Sequence, residues 1–202
     1  MIQKGFKYCT DYKAVSLRDT LYSTWYEIED KFKGVFNDIP DGHEYRIMFN
    51  KYDGLHWLKP VEIVNKNDKY SKEKKDDPFL YPIGIFILHG KLYVFWMYNN
   101  NSTINKYFQI YYSCSTDGAS WSLPKEIEKN IELLSYYNQN NSNLHLLISK
   151  DNSKKFYYVF DGDNFDNMGI VIDEKSQNEK ILVNNNKIFI FWEPPPKENI
   201  KI

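Results

Sequence analysis

The chain has 202 residues, enough for one domain with a sizeable core, and its 42% hydrophobic and 26% charged residues are typical of a folded protein. The formal net charge of −1 gives no overall attraction to nucleic acid or to an anionic membrane, so the sequence predicts neither as a partner. Two cysteines, Cys9 and Cys114, are too few for a disulfide framework or a four-ligand zinc site.

The N-terminal segment has no apolar run of signal-peptide length, and no stretch of the chain reaches the length that spans a membrane. Membrane insertion is therefore not expected, and the localisation stays open. The 17 Tyr, 13 Phe and 5 Trp residues favour half-buried pleated surfaces, which points to β structure along the chain. No P-loop, nucleophile elbow or glycine-rich dinucleotide loop occurs, and the sequence predicts no cofactor.

A short motif recurs four times along the chain. Each copy has an Asp first, a large apolar residue four positions later and an aliphatic residue ten positions later. The copies are Asp11 with Val15 and Leu21; Asp53-Gly54 with Trp57 and Ile63; Asp117-Gly118 with Trp121 and Ile127; and Asp161-Gly162 with Phe165 and Val171. The Asp residues are 42, 64 and 44 residues apart, which suits the period of a propeller blade, with a solenoid of helix pairs as the competitor.

Each copy of the motif follows a run rich in Tyr, Phe and Ile, and these runs predict strands rather than helices. An Asp that ends a strand can accept hydrogen bonds from the backbone N–H groups ahead of it, and a following Gly supplies a positive φ. The aromatic residue four positions later can fold back over the turn and pack against a neighbouring sheet. The predicted structural turn residues are Asp11, Asp53, Gly54, Trp57, Asp117, Gly118, Trp121, Asp161 and Gly162.

The segments GKLYVFWMYNN (90–100) and IYYSCSTDGASWSLPKEI (110–127) resemble the Asp box, or bacterial neuraminidase repeat, of sialidase-like propellers. The resemblance covers residues 79–127 and is partial elsewhere. The family pattern Ser-x-Asp-x-Gly-x-x-Trp is matched with Gly118 directly after Asp117 and with Trp121 one position early. In that family the Asp box is a turn at the blade periphery, so the resemblance implies an all-β propeller and a non-catalytic role for the box.

The two chain ends complement each other in this interpretation. The strand pairs 83–88 with 92–98, and 180–183 with 187–192, match in sequence, but no box follows the second pair. We therefore predict a single all-β domain over 1–202, a small four-bladed propeller closed by pairing of residues 5–9 with 187–192. The expected blades are 22–63, 64–127, 128–172, and 173–202 together with 1–21. Five blades, or an open segment of a larger propeller, are the alternatives.

Two matching tryptophans are the candidate ligand contacts. Trp96 and Trp192 lie near the ends of equivalent strands, with Tyr98 and Glu193 just beyond, and aromatic faces can stack on the C–H faces of sugar rings. The sequence thus gives Trp96, Tyr98, Trp192 and Glu193 as the candidate carbohydrate-binding residues. The alternative, which we favour for the two indoles, is that both rings pack between blades.

Counting arginines argues against sialidase activity. Sialidases hold the substrate carboxylate with three arginines, whereas this chain contains only Arg18 and Arg46, and lysine does not offer the same planar fork. No Asp or Glu occurs in a motif that singles out an acid–base pair, so no catalytic residue is predicted. No metal site is predicted either; Asp163 and Asp166 in FDGDNFDN come nearest to a calcium ligand set but lack the Glu at EF-hand spacing.

The sequence therefore predicts a non-catalytic binding module in which a propeller face recognises a glycan or a protein ligand. One alternative is a divergent glycoside hydrolase, or an accessory domain of such an enzyme. Another is a hemopexin-like scaffold for protein interaction, because the blade number and the size also fit that family.

Overall fold

The computed structural model describes residues 7–17, 19–31, 42–69, 79–99, 108–139, 141–150, 154–173, 175–185 and 187–194. All regular elements in these ranges are β-strands, so the predicted all-β class is confirmed. Within the same ranges there is no helix, and hence none long and apolar enough to cross a membrane. The chain divides into two compact units, Met1–Lys129 and Asn130–Ile202.

The first unit begins with a four-stranded antiparallel sheet in the order β1-β2-β3-β4. Its strands are β1 (Lys7–Leu17), β2 (Thr20–Lys31), β3 (Gly42–Tyr52) and β4 (Val61–Lys69). Alternation of side chains along β3 places Tyr45, Ile47 and Phe49 on one face, where all three are buried. The opposite face carries Arg46 and Met48 between them.

A second antiparallel sheet of the first unit has the order β7-β6-β5. Its strands are β5 (Phe79–Leu88), β6 (Lys91–Asn99) and β7 (Phe108–Ser115). The turn between β5 and β6 has positive φ at both His89 and Gly90, the geometry of a two-residue type I′ hairpin. Leu80, Ile85, Val94 and other buried residues of this sheet join Ile47 and Phe49 of the first sheet in one hydrophobic cluster.

Strand β8 (Lys125–Gln139) begins in the first unit and ends in the second. The second unit contains β9 (Asn143–Ser149), β10 (Lys154–Phe160) and β11 (Phe165–Asp173) in the antiparallel order β11-β10-β9-β8. A separate hairpin follows, made of β12 (Gln177–Asn184) and β13 (Lys187–Glu193). From Glu179 to Val183 every second residue of β12 is buried, so this hairpin has an inner face, with Glu179, Ile181 and Val183, and an exposed outer face.

Strand pairing divides the chain differently from the expected blades. Residues 1–21 were expected to complete the C-terminal blade, but β1 pairs with β2, from Lys7 opposite Glu29 to Leu17 opposite Thr20. The physical reason is local: β1 and β2 are neighbours in the sequence, and strands close along the chain pair at a lower entropic cost than the chain ends do. No closed sheet is found among the described strands, and Gly5 and Phe6 lie outside them, so ring closure and blade number stay predictions.

The structure corrects the interpretation of Asp11. This residue does not end a strand; it lies inside β1, at a register shift between Thr10 and Lys13, with φ +56°. Without a following glycine the segment forms a β-bulge in a continuing strand instead of a turn. The bulge has one important result, because it places Tyr12 opposite Trp25 of β2, and the two rings stack with their centroids 6.0 Å apart.

Candidate functional site

Three Asp residues of the repeat build nearly identical turns. One carboxylate oxygen of each Asp accepts hydrogen bonds from the backbone N–H groups two and three residues ahead. The distances are 3.0 and 3.0 Å at Asp53, 2.8 and 2.9 Å at Asp117, and 2.9 and 2.7 Å at Asp161. The next residue is Gly54, Gly118 or Gly162, each with a positive φ. The expected Asp-Gly turn geometry is therefore present at three of the four positions.

These hydrogen bonds lower the pKa of all three carboxyl groups below the ordinary value of 3.8, since backbone N–H groups favour the charged form. A folded-state pKa that is lowered means that the stabilisation is complete above pH 3.8 and is lost as the pH falls through the folded-state pKa.

We therefore expect the free energy of unfolding to fall when the protein is acidified below pH 3.8. Urea unfolding at neutral and acidic pH measures this, and Asp117→Asn should show a smaller pH dependence than the unchanged chain. An equal pH dependence in the two proteins would contradict it.

The aromatic residue of each turn packs against protein. Trp57 contacts Tyr52 and Phe165 stacks on Tyr158, with centroid distances of 5.5 and 4.7 Å. Trp121 reaches farther, meeting Phe49 of the first sheet edge-on at 4.9 Å. The packing of these rings gives them an architectural role.

The candidate carbohydrate-binding residues differ in how far they are exposed to solvent. Trp96 is 1% exposed and stacks on Tyr111 inside the core, so it cannot present a ring to a sugar. Tyr98 is half-buried against the same core. Trp192 is 43% exposed at the end of β13, and the adjacent Glu193 accepts a hydrogen bond from the Asn178 side chain at 2.8 Å. The buried packing that we favoured for both indoles thus holds for Trp96 and not for Trp192.

The two nearest candidates for a calcium ligand set do not form a cluster. Asp163 is exposed, and its backbone N–H is part of the Asp161 turn. Asp166 lies in β11 opposite Val159 of β10. Across the described ranges of the chain, no three His, Cys, Asp or Glu side chains lie together in a way that could hold a metal ion.

Sequence analysis missed a group of polar and aromatic side chains on the face of the first sheet opposite the core. We call it the acidic face, and it consists of Tyr12, Trp25, Glu27, Glu29, Arg46 and Glu62. Period-two alternation along β2 puts Trp25, Glu27 and Glu29 on one side, and Arg46 of β3 is directly opposite Glu27. The pattern Trp-x-Glu-x-Glu was visible in the sequence, but its partners on β1, β3 and β4 depended on strand register.

Arg46 is the centre of the acidic face. Its guanidinium nitrogens lie 3.0 Å from Glu29, 3.5 Å from Glu62 and 4.0 Å from Glu27. Glu27 is buried and also accepts hydrogen bonds from the Trp25 indole at 3.0 Å and from the Cys9 thiol at 3.7 Å. With three carboxylates around one guanidinium, Arg46 is engaged by the protein's own acids and is poorly placed to clamp a ligand carboxylate.

Tyr111 and Glu126 form a tyrosine–acid pair in the first unit. The Tyr111 hydroxyl donates to the Glu126 carboxylate at 3.0 Å. Burial and the neighbouring Glu126 raise the pKa of Tyr111 to about 12, so the phenol stays protonated at neutral pH. The hydroxyl is therefore held as a hydrogen-bond donor to Glu126.

The second unit contains two buried polar clusters. His145 lies 2.6 Å from the Tyr157 hydroxyl and 3.0 Å from the Gln139 side-chain oxygen, and burial lowers the pKa of its imidazole. Lys155 and Glu179 are both buried with 3.9 Å between their charged atoms, and Ser176 donates to Glu179 at 2.6 Å. The His145 cluster links β8, β9 and β10, whereas Lys155 of β10 and Glu179 of β12 join the hairpin to the sheet of this unit.

Comparison with known proteins gives little further guidance. No family model matches the chain, and no curated protein matches it. Among solved structures, the chain is similar to a family 117 glycoside hydrolase produced by the marine bacterium Zobellia galactanivorans, with a TM-score of 0.38 and 12% sequence identity. The similarity covers 85% of this chain and 74% of that one. At this level the likeness carries no conclusion about fold or activity.

Proposed function

We propose that the protein is a non-catalytic binding module and that the acidic face recognises a glycan. The observation that carries this proposal is the Tyr12 ring, which is 63% exposed and stacked on Trp25 beside the carboxylates that Arg46 holds. An exposed ring fixed by a second ring offers a flat apolar surface at little cost in side-chain entropy. Sugar rings present C–H groups that fit such a surface.

The charges on the acidic face indicate the class of glycan. Among the described side chains, three carboxylates surround the single guanidinium of Arg46, which makes this part of the face acidic. The Glu29 and Glu62 side chains are 36% and 44% exposed, so their oxygens can accept hydrogen bonds from sugar hydroxyl groups. Acidic sugars are disfavoured by like charge, so the expected ligand is a neutral or amino-bearing glycan.

A glycan array with the purified chain tests the proposal, followed by titration of the best ligand against variants. Tyr12→Ala is expected to weaken binding about tenfold, because the loss of one stacking contact removes on the order of 1 kcal/mol. Tyr136→Ala is the matched control, since Tyr136 is also an exposed tyrosine but lies on β8 in the second unit. Circular dichroism and thermal unfolding should show both variants folded.

Each outcome of this experiment has a definite meaning. Binding that survives Tyr12→Ala but is lost in Trp192→Ala would move the site to the end of β13. Binding of acidic glycans in preference to neutral ones would contradict the charge argument. Absence of glycan binding would contradict the proposal and favour a scaffold for protein interaction.

A divergent glycoside hydrolase is the second candidate function. It is favoured by the grouping of Glu27, Glu29 and Glu62 around one arginine, because glycoside hydrolysis requires two neighbouring carboxyl groups. Turnover of a panel of chromogenic glycosides, abolished by Glu29→Gln with folding intact, would establish it. No turnover of any glycoside in the panel would leave binding as the function of this face.

We also propose that the sheets are blades of a small Asp-box propeller, four in number as the repeat suggests. The support is the shared turn geometry at Asp53, Asp117 and Asp161, and the packing of Trp121 on the first sheet. A five-bladed ring and an open segment of a larger propeller are the alternatives. A structure at atomic resolution that shows one common axis for the sheets would decide among them.

A further inference from the structure

Strand β13 combines an exposed apolar surface with an outer edge that no described strand covers. In the described ranges its hydrogen-bonded neighbour is β12 on one side. Ile188, Phe189, Phe191 and Trp192 are between 41% and 56% exposed. An edge strand of this kind is a template for the addition of another strand, and soluble proteins usually protect such edges.

The sequence of β13, Lys187-Ile188-Phe189-Ile190-Phe191-Trp192-Glu193, is self-complementary. If two copies align antiparallel about Ile190, Lys187 of each copy lies opposite Glu193 of the other. Phe189 then faces Phe191, Ile188 faces Trp192, and the two Ile190 residues face each other. We propose that β13 joins two copies of this chain in a symmetric dimer, with the continuous sheet β12-β13-β13-β12 across the two-fold axis.

Each pair of opposite side chains in this alignment is physically favourable. Directly opposite side chains on neighbouring strands interact, and aromatic pairs and opposite charges are the stabilising combinations. In an antiparallel strand, residues 187, 189, 191 and 193 share one face, so the two Phe–Phe pairs would lie between two Lys–Glu pairs on the outer face of the sheet. This is also the face on which Leu182 and Phe189 are exposed in the single chain.

A second copy fits this edge better than the chain's own N-terminal strand does. Residues 5–9, Gly-Phe-Lys-Tyr-Cys, contain no acidic side chain to meet Lys187 and no two-fold pattern. Dimerisation and ring closure would compete for the same edge, so a test of one also bears on the other.

Cysteine cross-linking of the full chain tests the register. Ile190→Cys places two thiols at the two-fold axis, where Cα atoms of directly opposite residues are about 4.5–5.5 Å apart, within the range for a disulfide. Ile188→Cys is the matched control: its two copies would be four residues out of register, roughly 13 Å apart. Mild oxidation should give a covalent dimer with Ile190→Cys, and peptide mapping should identify the 190–190 linkage, with no corresponding linkage for Ile188→Cys.

Charge exchange supplies a second, independent readout. In sedimentation velocity over a concentration series, the unchanged chain should show a reversible dimer. Lys187→Glu places like charges opposite each other twice and should weaken the dimer at least tenfold. The double exchange Lys187→Glu with Glu193→Lys restores opposite charges and should restore dimerisation.

A monomer at every concentration would overturn the proposal. A dimer that ignores the charge exchange, or that cross-links equally through Ile188→Cys, would overturn the register and indicate association through another surface.

Discussion

Replacement of Trp96 by alanine is expected to destabilise the protein by about 3–5 kcal/mol, a large part of the roughly 5–15 kcal/mol that holds a domain of this size together. The indole is 1% exposed, stacks on Tyr111 and lies in the hydrophobic cluster with Ile47 and Phe49. Its removal leaves a cavity between the two sheets of the first unit. Urea unfolding followed by circular dichroism measures the loss.

Trp192→Ala is the control for this prediction. Trp192 is 43% exposed on β13, so its replacement should cost about 1 kcal/mol or less. If Trp96→Ala fails to fold, Trp96→Phe keeps an aromatic ring and should give a folded protein of intermediate stability. Equal stability losses for Trp96→Ala and Trp192→Ala would show that Trp96 is not the core residue described here.

Gly118→Ala is expected to destabilise the protein by about 2–5 kcal/mol, through backbone strain of about 1–2 kcal/mol and overpacking of about 1–3 kcal/mol. Gly118 has φ +77°, and an added Cβ would lie 3.0 Å from the ring of Phe49, which is itself fully buried. Neither the Phe49 ring, held by Trp121 and Tyr22, nor the Asp117 turn can easily move away.

Gly90→Ala isolates the packing contribution. Gly90 has the same φ of +77°, but no atom lies within 4 Å of its added Cβ. Gly90→Ala should therefore lose stability through backbone strain alone. The difference between the free energies of unfolding of Gly90→Ala and Gly118→Ala, measured in urea, gives the cost of the contact with Phe49. If Gly90→Ala and Gly118→Ala lose the same free energy of unfolding, the turn does not pack on the first sheet as described.

Local chemistry explains which parts of the fold were predictable from the sequence. The Asp53, Asp117 and Asp161 turns were predictable because an Asp followed by Gly makes its own hydrogen bonds and needs no distant partner. The hairpin at His89 was equally local. The position of Asp11 was mispredicted because it lacks the Gly that follows the other three Asp residues, and the pairing of β1 with β2 continues the strand past it.

The acidic face was harder to predict because four strands contribute to it. Glu27, Glu29 and Trp25 follow period-two alternation, but the sequence does not say that Arg46 and Glu62 lie in register with them. For Trp96 and Trp192 the difficulty is that similar sequences have different environments. Their segments match in sequence, yet one strand is central in its sheet and the other is an edge, and only strand order separates the two environments.

The edge-on contact between Trp121 and Phe49 joins residues that are far apart along the chain. Because loop closure must precede such a contact, the Asp117 turn forms early only as an isolated local structure and becomes locked once the first sheet has folded. We infer that the two sheets of the first unit form a single cooperative folding unit. A nascent chain that has emerged only as far as β4 would therefore expose the ring of Phe49, because the residues that cover it, Trp121 among them, are synthesised later.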